Sequence, residues 1–209
     1  MNSLTNQTLA HCPNGCEPFE ADYHCFIRAD KTPELKEAIL GGELNLLRCP
    51  ECGAFFHHES ELIYLDPLNE LLVFVFAPEE KQKQSLVQKR MEQDYAQVKG
   101  ALHLDYAPLC VFGLEELKLL LEQDEQYALE SEAVAAACAQ AGYGVARLKP
   151  SYARAHHFPQ YIPAVGQNAT ANDYAIAAAK VLKSGLHSTL LLNFKDHMSQ
   201  EEAVLPHLL

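Results

Sequence analysis

The chain lacks any apolar run approaching the ~20 residues that a helix needs to cross a bilayer, so no helical membrane span is expected. Its first residues, Met1-Asn2-Ser3-Leu4-Thr5-Asn6, carry neither a basic segment nor an apolar one, and predict no secretory signal. Asn168-Ala169-Thr170 matches a glycosylation sequon, which has no meaning without a secretory route. Clustered cations are missing too: 16 Lys and Arg stand against 28 Asp and Glu, for a net charge of −12. Nucleic-acid binding needs clustered Lys and Arg to displace phosphate counterions, so nucleic acid is not an expected partner. No G-x-S-x-G, H-E-x-x-H or Walker A sequence occurs, and no reaction announces itself from a motif. An even cysteine count is also absent. Seven cysteines suggest no disulfide framework, and a reducing, cytoplasmic setting is expected.

What is there fits a globular protein. A length of 209 residues allows one large domain or two small ones, and a single globule of that size buries roughly 70% of its unfolded surface. The 48% apolar and 21% charged residues are ordinary for such a chain. The acidity is uneven: residues 1–78 hold 4 Lys and Arg against 12 Asp and Glu, and residues 79–209 hold 12 against 16.

Two short cysteine pairs are the most informative feature. Cys12-Pro13-Asn14-Gly15-Cys16 and Cys49-Pro50-Glu51-Cys52-Gly53 are separated by 32 residues. Each pair offers two thiolates from one tight turn, and together they form the tetrahedral donor set of a structural zinc ion. Gly15 and Gly53 supply the positive φ such turns require. Four thiolates leave no open coordination position, which makes the site structural rather than catalytic. Zinc binding contributes roughly 10–16 kcal/mol in small peptides, enough to decide whether a module with a modest core folds. Iron accepts the same donors, so the sequence leaves zinc and iron open.

Other chemistry-bearing residues are weaker. His11, His24 and Cys25 lie near enough in sequence for one of them to replace a cysteine ligand. A thiol redox reading fixes on Cys49 and Cys52, but such a pair works best at a helix N-terminus, and Gly-Ala-Phe-Phe-His-His reads as a strand. His57-His58-Glu59 and His156-His157 suggest a second metal site, yet a strand sends His57 and His58 to opposite faces. Cys110 and Cys138 sit among apolar residues and read as core. Gly142-Tyr143-Gly144 follows a helix and lacks a third glycine, and Glu115-Glu116 reads as a solvated helix face.

Along the chain, residues 19–28 predict a strand, and Thr32-Pro33-Glu34 opens a helix that buries Leu35, Ala38 and Ile39 and stops at Gly41-Gly42. Residues 54–64 and 70–76 predict two antiparallel strands joined by a turn at Asp66-Pro67-Leu68-Asn69. Leu71 to Phe76 is apolar throughout and predicts a strand covered on both faces. A polar helix runs from Pro78 to about Val98, with Val87, Met91, Tyr95 and Val98 on one face and Gly100 ending it. A short strand at 108–112 precedes a helix from Leu114 and an Ala-rich helix over about 131–141. Residues 143–168 read as a long connector, Thr170 caps a further helix, and residues 189–194 are ambiguous. Ser199-x-x-Glu202 is a capping box for a last helix.

The assembled residues resemble the CpXC family. Beyond the knuckles, the segment Thr32 to Asn45, the stretch Glu61-Leu62-Ile63-Tyr64-Leu65-Asp66-Pro67 with the strand ending at Pro78, and Val111-Phe112-Gly113-Leu114-Glu115-Glu116-Leu117 look like that family's ordered motifs. The resemblance covers about residues 10–125, departs in the extra residue of the first knuckle, and implies a prokaryotic, bacterial origin and no particular reaction. The expected fold is α+β: a zinc-ribbon-like antiparallel β module with an inserted helix over 10–78, then a mainly helical part over 79–209. The expected metal ligands are Cys12, Cys16, Cys49 and Cys52 around a structural Zn²⁺, with a protein partner or a second copy as the thing bound. An enzyme with a cleft site between the two parts and a thiol redox protein are the alternatives.

Overall fold

A computed structural model describes residues 2–200 and 207–209. Nine strands and six α-helices follow one another among them: β1 (Leu4–Ala10), β2 (Phe19–Arg28), α1 (Pro33–Leu40), β3 (Leu46–Arg48), β4 (Phe55–His57), β5 (Leu62–Asp66), β6 (Leu71–Phe76), α2 (Gln84–Leu102), β7 (Leu109–Phe112), α3 (Gly113–Gln140), β8 (Val145–Arg147), α4 (Pro150–His156), β9 (Tyr161–Pro163), α5 (Ala171–Lys183) and α6 (Thr189–Met198). The chain has the mixed α and β content expected, a sheet-rich part followed by helices. It divides into two compact units, Met1–Glu122 and Gln123–Leu209.

The first unit is built on a five-stranded sheet in the order β1-β2-β5-β6-β7. It is mixed: β1 with β2 and β5 with β6 run antiparallel, while β2 with β5 and β6 with β7 run parallel. The expected antiparallel pairing of β5 with β6 is present, and the parallel pairs come from the crossovers through α1 and α2. β6 is buried at every position, as its continuous apolar sequence requires. Leu71, Val73 and Val75 pack with Ile39, Leu44, Leu117 and Leu121 on one face. Leu72, Phe74 and Phe76 pack with Val87, Met91, Leu104 and Phe112 on the other. Each fully buried side chain of this kind contributes roughly 1.5–3 kcal/mol.

The turn at Asp66 forms through its own carboxylate. Oδ1 accepts from Leu68 N at 3.1 Å and Asn69 N at 3.3 Å, and Oδ2 from Asn69 Nδ2 at 2.8 Å. Thr32 stands at the N-cap of α1 without capping it; its hydroxyl donates to Arg28 O at 3.0 Å instead.

Four expectations change. The strand expected over 54–64 is two strands: β4 pairs with β3 in a small ribbon, and β5 joins the main sheet. The helices expected from Leu114 and over 131–141 are one, α3, because no Gly or Pro interrupts the polar run that hides its period. The connector over 143–168 contains β8, α4 and β9, whose three-residue strands are too short to show alternation and exist by pairing with each other. Helix α2 runs past Gly100 to Leu102, where His103 takes φ of 53°. The ambiguous stretch 189–194 is helical, capped by Ser188, whose Oγ accepts from Leu191 N. The helix expected from Ser199-x-x-Glu202 falls outside the described residues.

The second unit packs the C-terminal half of α3 with α4, α5, α6 and the β8–β9 ribbon around Val134, Cys138, Leu148, Ile162, Val181, Leu191 and Phe194. Thr170 and Asp173 form a reciprocal capping box on α5. Glu130 Oε1 accepts from Ser188 Oγ at 2.6 Å and Leu190 N at 2.8 Å, which fastens the start of α6 to α3.

Candidate metal centre

The two cysteine pairs occupy the turns of two β-hairpins. Cys12 and Cys16 lie between β1 and β2, whose last registered pair is Ala10 with Phe19. Cys49 and Cys52 lie between β3 and β4, closed by Arg48 with Phe55. Each turn is made by the glycine its sequence supplies. Gly15, at φ of 77°, donates its N–H to Cys12 O at 3.0 Å, and Gly53, at φ of 74°, donates to Cys49 O at 2.9 Å. A Cβ on Gly15 would meet nothing within 4 Å, so the constraint there is backbone conformation and not space. The extra residue of the first knuckle is absorbed in this turn.

The hairpin tips bring the four sulfurs of Cys12, Cys16, Cys49 and Cys52 within 4.8 Å of one another. Cys12 Sγ and Cys52 Sγ are 3.6 Å apart. Thiolates at ~2.3 Å from a tetrahedral ion lie about 3.8 Å from each other, so this donor set fits one metal ion with small adjustments. Cys12 and Cys49 are buried, Cys16 is half-buried and Cys52 is exposed. The backbone N–H of Ala54, then the Asn14 amide 3.5 Å from its sulfur, lower the Cys52 pKa to about 6. The Cys16 thiol is pushed up, first by its hydrogen bond to Cys52 and then by burial. A lowered pKa favours the Cys52 thiolate, the form that binds a soft cation.

Asn14 and the Ala54 N–H were not singled out in the sequence. Their signal is position alone: one lies inside the first knuckle and the other follows the second. Across the site, Glu17 N donates to Glu51 Oε2 at 3.2 Å, linking the two turns through a carboxylate.

The alternative ligands are not brought in. Among the described residues the only group of three or more metal-ligating side chains is this set of four cysteines. Cys25 Sγ instead lies 3.7 Å from Leu4 O. His57 and His58 diverge: His57 Nδ1 is 3.3 Å from Leu44 O, while the His58 ring packs edge-on against Tyr23 at 4.7 Å. His156 and His157 diverge likewise. His157 Nδ1 meets the Tyr127 hydroxyl at 2.9 Å, and His156 stacks on Phe158 at 5.3 Å. Cys138 is buried in the second unit's core, where burial pushes its thiol up to about 11. The Cys49–Cys52 turn joins two strands, so no helix dipole acts on it.

The fold and the site define a class: a mixed α and β protein whose sheet-bearing unit presents a four-cysteine cluster able to hold a metal ion. Residues 10–125 match the family described as CpXC protein, more than half of the chain, and the protein belongs to that family. No curated protein and no solved structure matches it.

Proposed function

We propose that this CpXC protein holds one structural Zn²⁺ between its two hairpin turns and acts as a binding or scaffolding module in the bacterial cytoplasm. The observation that carries the reading is the convergence of Cys12, Cys16, Cys49 and Cys52 within 4.8 Å. Four thiolates fill a tetrahedral ion, so the metal fixes the relative placement of the hairpins and takes no substrate. In this reading the clamped module spans residues 10–78, and residues 79–209 form the mainly helical part.

The test is metal analysis by mass spectrometry on untagged protein purified without chelator, repeated on Cys49→Ser. One zinc per chain, lost in the variant along with the hairpins' thermal stability, is the expected result. Retained metal with an unchanged transition would refute the clamp, and iron in place of zinc would keep the clamp and change the ion.

A thiol redox role is the second reading, favoured by an exposed Cys52 with a pKa of about 6 beside Cys12 Sγ at 3.6 Å. It requires a reversible disulfide in protein that purifies without metal. An enzymatic role has less support. The cavity beside His57, Glu59, Glu115 and Lys118 measures only about 100 Å³, and the larger hollows, about 720 Å³ beside Asp173 and Lys180 and about 480 Å³ at the Arg48–Gly53 turn, are open at the surface and gather no cluster of His, Asp or Glu among the described residues.

A further inference from the structure

Of the eight asparagines in the chain, only Asn14 is followed by glycine. That sequence is the one in which an asparagine most readily loses ammonia. Glycine has no Cβ to shield its amide nitrogen or to restrict its backbone, so the nitrogen can reach the preceding carboxamide. Here the pair lies inside the first knuckle, between Cys12 and Cys16, and both residues are exposed. Nothing stands within 4 Å of where a Cβ on Gly15 would be, so water reaches the turn.

Two hydrogen bonds hold the reacting groups apart. Gly15 N donates to Cys12 O at 3.0 Å, and Asn14 Nδ2 donates to Cys52 Sγ at 3.5 Å. The first occupies the nitrogen that would attack. The second anchors the group that would leave, and it spans the two hairpins. It exists only while their tips meet.

We propose that Asn14 is a deamidation site governed by the metal centre: the closed centre restrains the reaction, and the reaction, once complete, weakens the centre. The Gly15 nitrogen attacks Asn14 Cγ, the new C–N bond closes a succinimide ring, and Nδ2 leaves as ammonia with the proton from Gly15. Water then opens the ring. Cleavage at Cγ gives aspartate. Cleavage at the main-chain carbonyl gives isoaspartate, whose backbone runs through Cβ and Cγ. Water is the only co-reactant.

Either product acts against the metal. Aspartate replaces an N–H donor with a carboxylate beside the Cys52 sulfur. Four thiolates around Zn²⁺ carry a net negative charge, so the new carboxylate disfavours the loaded centre more than the empty one with its thiols protonated. Isoaspartate lengthens the backbone of the knuckle and shifts Cys12 relative to Cys16. The change is one-way, because the ammonia is lost. The coupling rests on the clamped reading of the four cysteines; the deamidation itself does not.

The test is peptide mass spectrometry on untagged, full-length protein aged at neutral pH, one portion holding zinc and another stripped by chelator. The other seven asparagines are internal controls. In stripped protein Asn14 is expected to deamidate faster than any of them, to aspartate and isoaspartate both. Bound zinc is expected to slow it at least roughly tenfold, by suppressing the local opening that frees the carboxamide. Asn14→Asp is expected to surrender zinc to a competing chelator roughly tenfold more readily than the wild type. Asn14→Gln, whose longer side chain keeps the amide but closes the ring poorly, holds zinc and does not age. Equal rates with and without zinc overturn the proposal and leave the clamp standing, as does an Asn14 no faster than the controls. Asn14→Asp holding zinc as tightly as the wild type overturns it too. Protein that takes up no zinc overturns the clamp and the coupling together.

Discussion

The two units are held together by different means. In the second, one apolar cluster runs from Val134 through Leu148 and Ile162 to Phe194, and every helix of the unit contributes to it. In the first, the sheet has apolar clusters on both faces, yet neither takes a residue from β1, β3 or β4. With β2, which contributes Phe26 and Ile27 to the clusters, those three strands form the hairpins that carry the cysteines, and their own side chains are mostly exposed. The four sulfurs thus converge where apolar packing is thinnest. A crosslink through metal can do there what burial does elsewhere, which is the usual condition of small metal-stabilised modules.

The sharpest way to break this comparison is Cys49→Ser. With a contribution on the scale of roughly 10 kcal/mol withdrawn from the hairpins, proteolysis is expected to cut within residues 10–58 while the second unit's thermal transition stays in place. Simultaneous loss of both units would show that they do not stand apart energetically. Phe194→Ala acts on the other side. Removing this fully buried ring is expected to destabilise the second unit by about 3–5 kcal/mol in denaturant titration, with metal content unchanged. A smaller loss is expected from Ser188→Ala, about 1 kcal/mol, since the α6 cap and the bond to Glu130 both go.

The mildest effect is one of pH. His156 lies against Phe158 and 5.7 Å from His197, ring centre to ring centre. Burial first, then the neighbouring His197, His207 and His157, holds its pKa below the ordinary 6.5. The unfolded chain takes up the proton first. The second unit therefore has its full stability above pH 6.5 and loses it as pH falls through that value and on through the lower folded value. Melting curves of His156→Phe should show a flatter acid limb than the wild type, and an unchanged limb would assign the acid sensitivity to other groups.

Much of the first unit was legible because its signals are local. Pro33 at the first position of α1, an aspartate before Pro67, a glycine in each knuckle turn and six apolar residues in a row act within a few residues of themselves, and β2, α1, β6 and the Asp66 turn form where expected. The division of residues 54–64 was not legible, because β4 takes its partner from β3 and β5 takes its partners from β2 and β6. The same holds for β8 and β9, which are too short to carry a pattern. Asn45 gave no signal at all. Its backbone sits at φ of 53°, and its amide finds its role, bonding the backbone N–H and C=O of His24, only because no strand pairs with His24 on the β5 side of β2.

By itself the sequence determined the donor set, the two turns that present it, and the strand that must be buried on both faces. Those follow from side-chain chemistry and short-range backbone preference. Only the tertiary structure decided that the hairpin tips meet, that the Ala54 N–H and Asn14 lower the Cys52 pKa, and that β2 is closed beside His24 by Asn45 while β1 pairs with β2 alone. Convergence and exposure are set by which distant segments pair, and that choice is made by the whole chain at once.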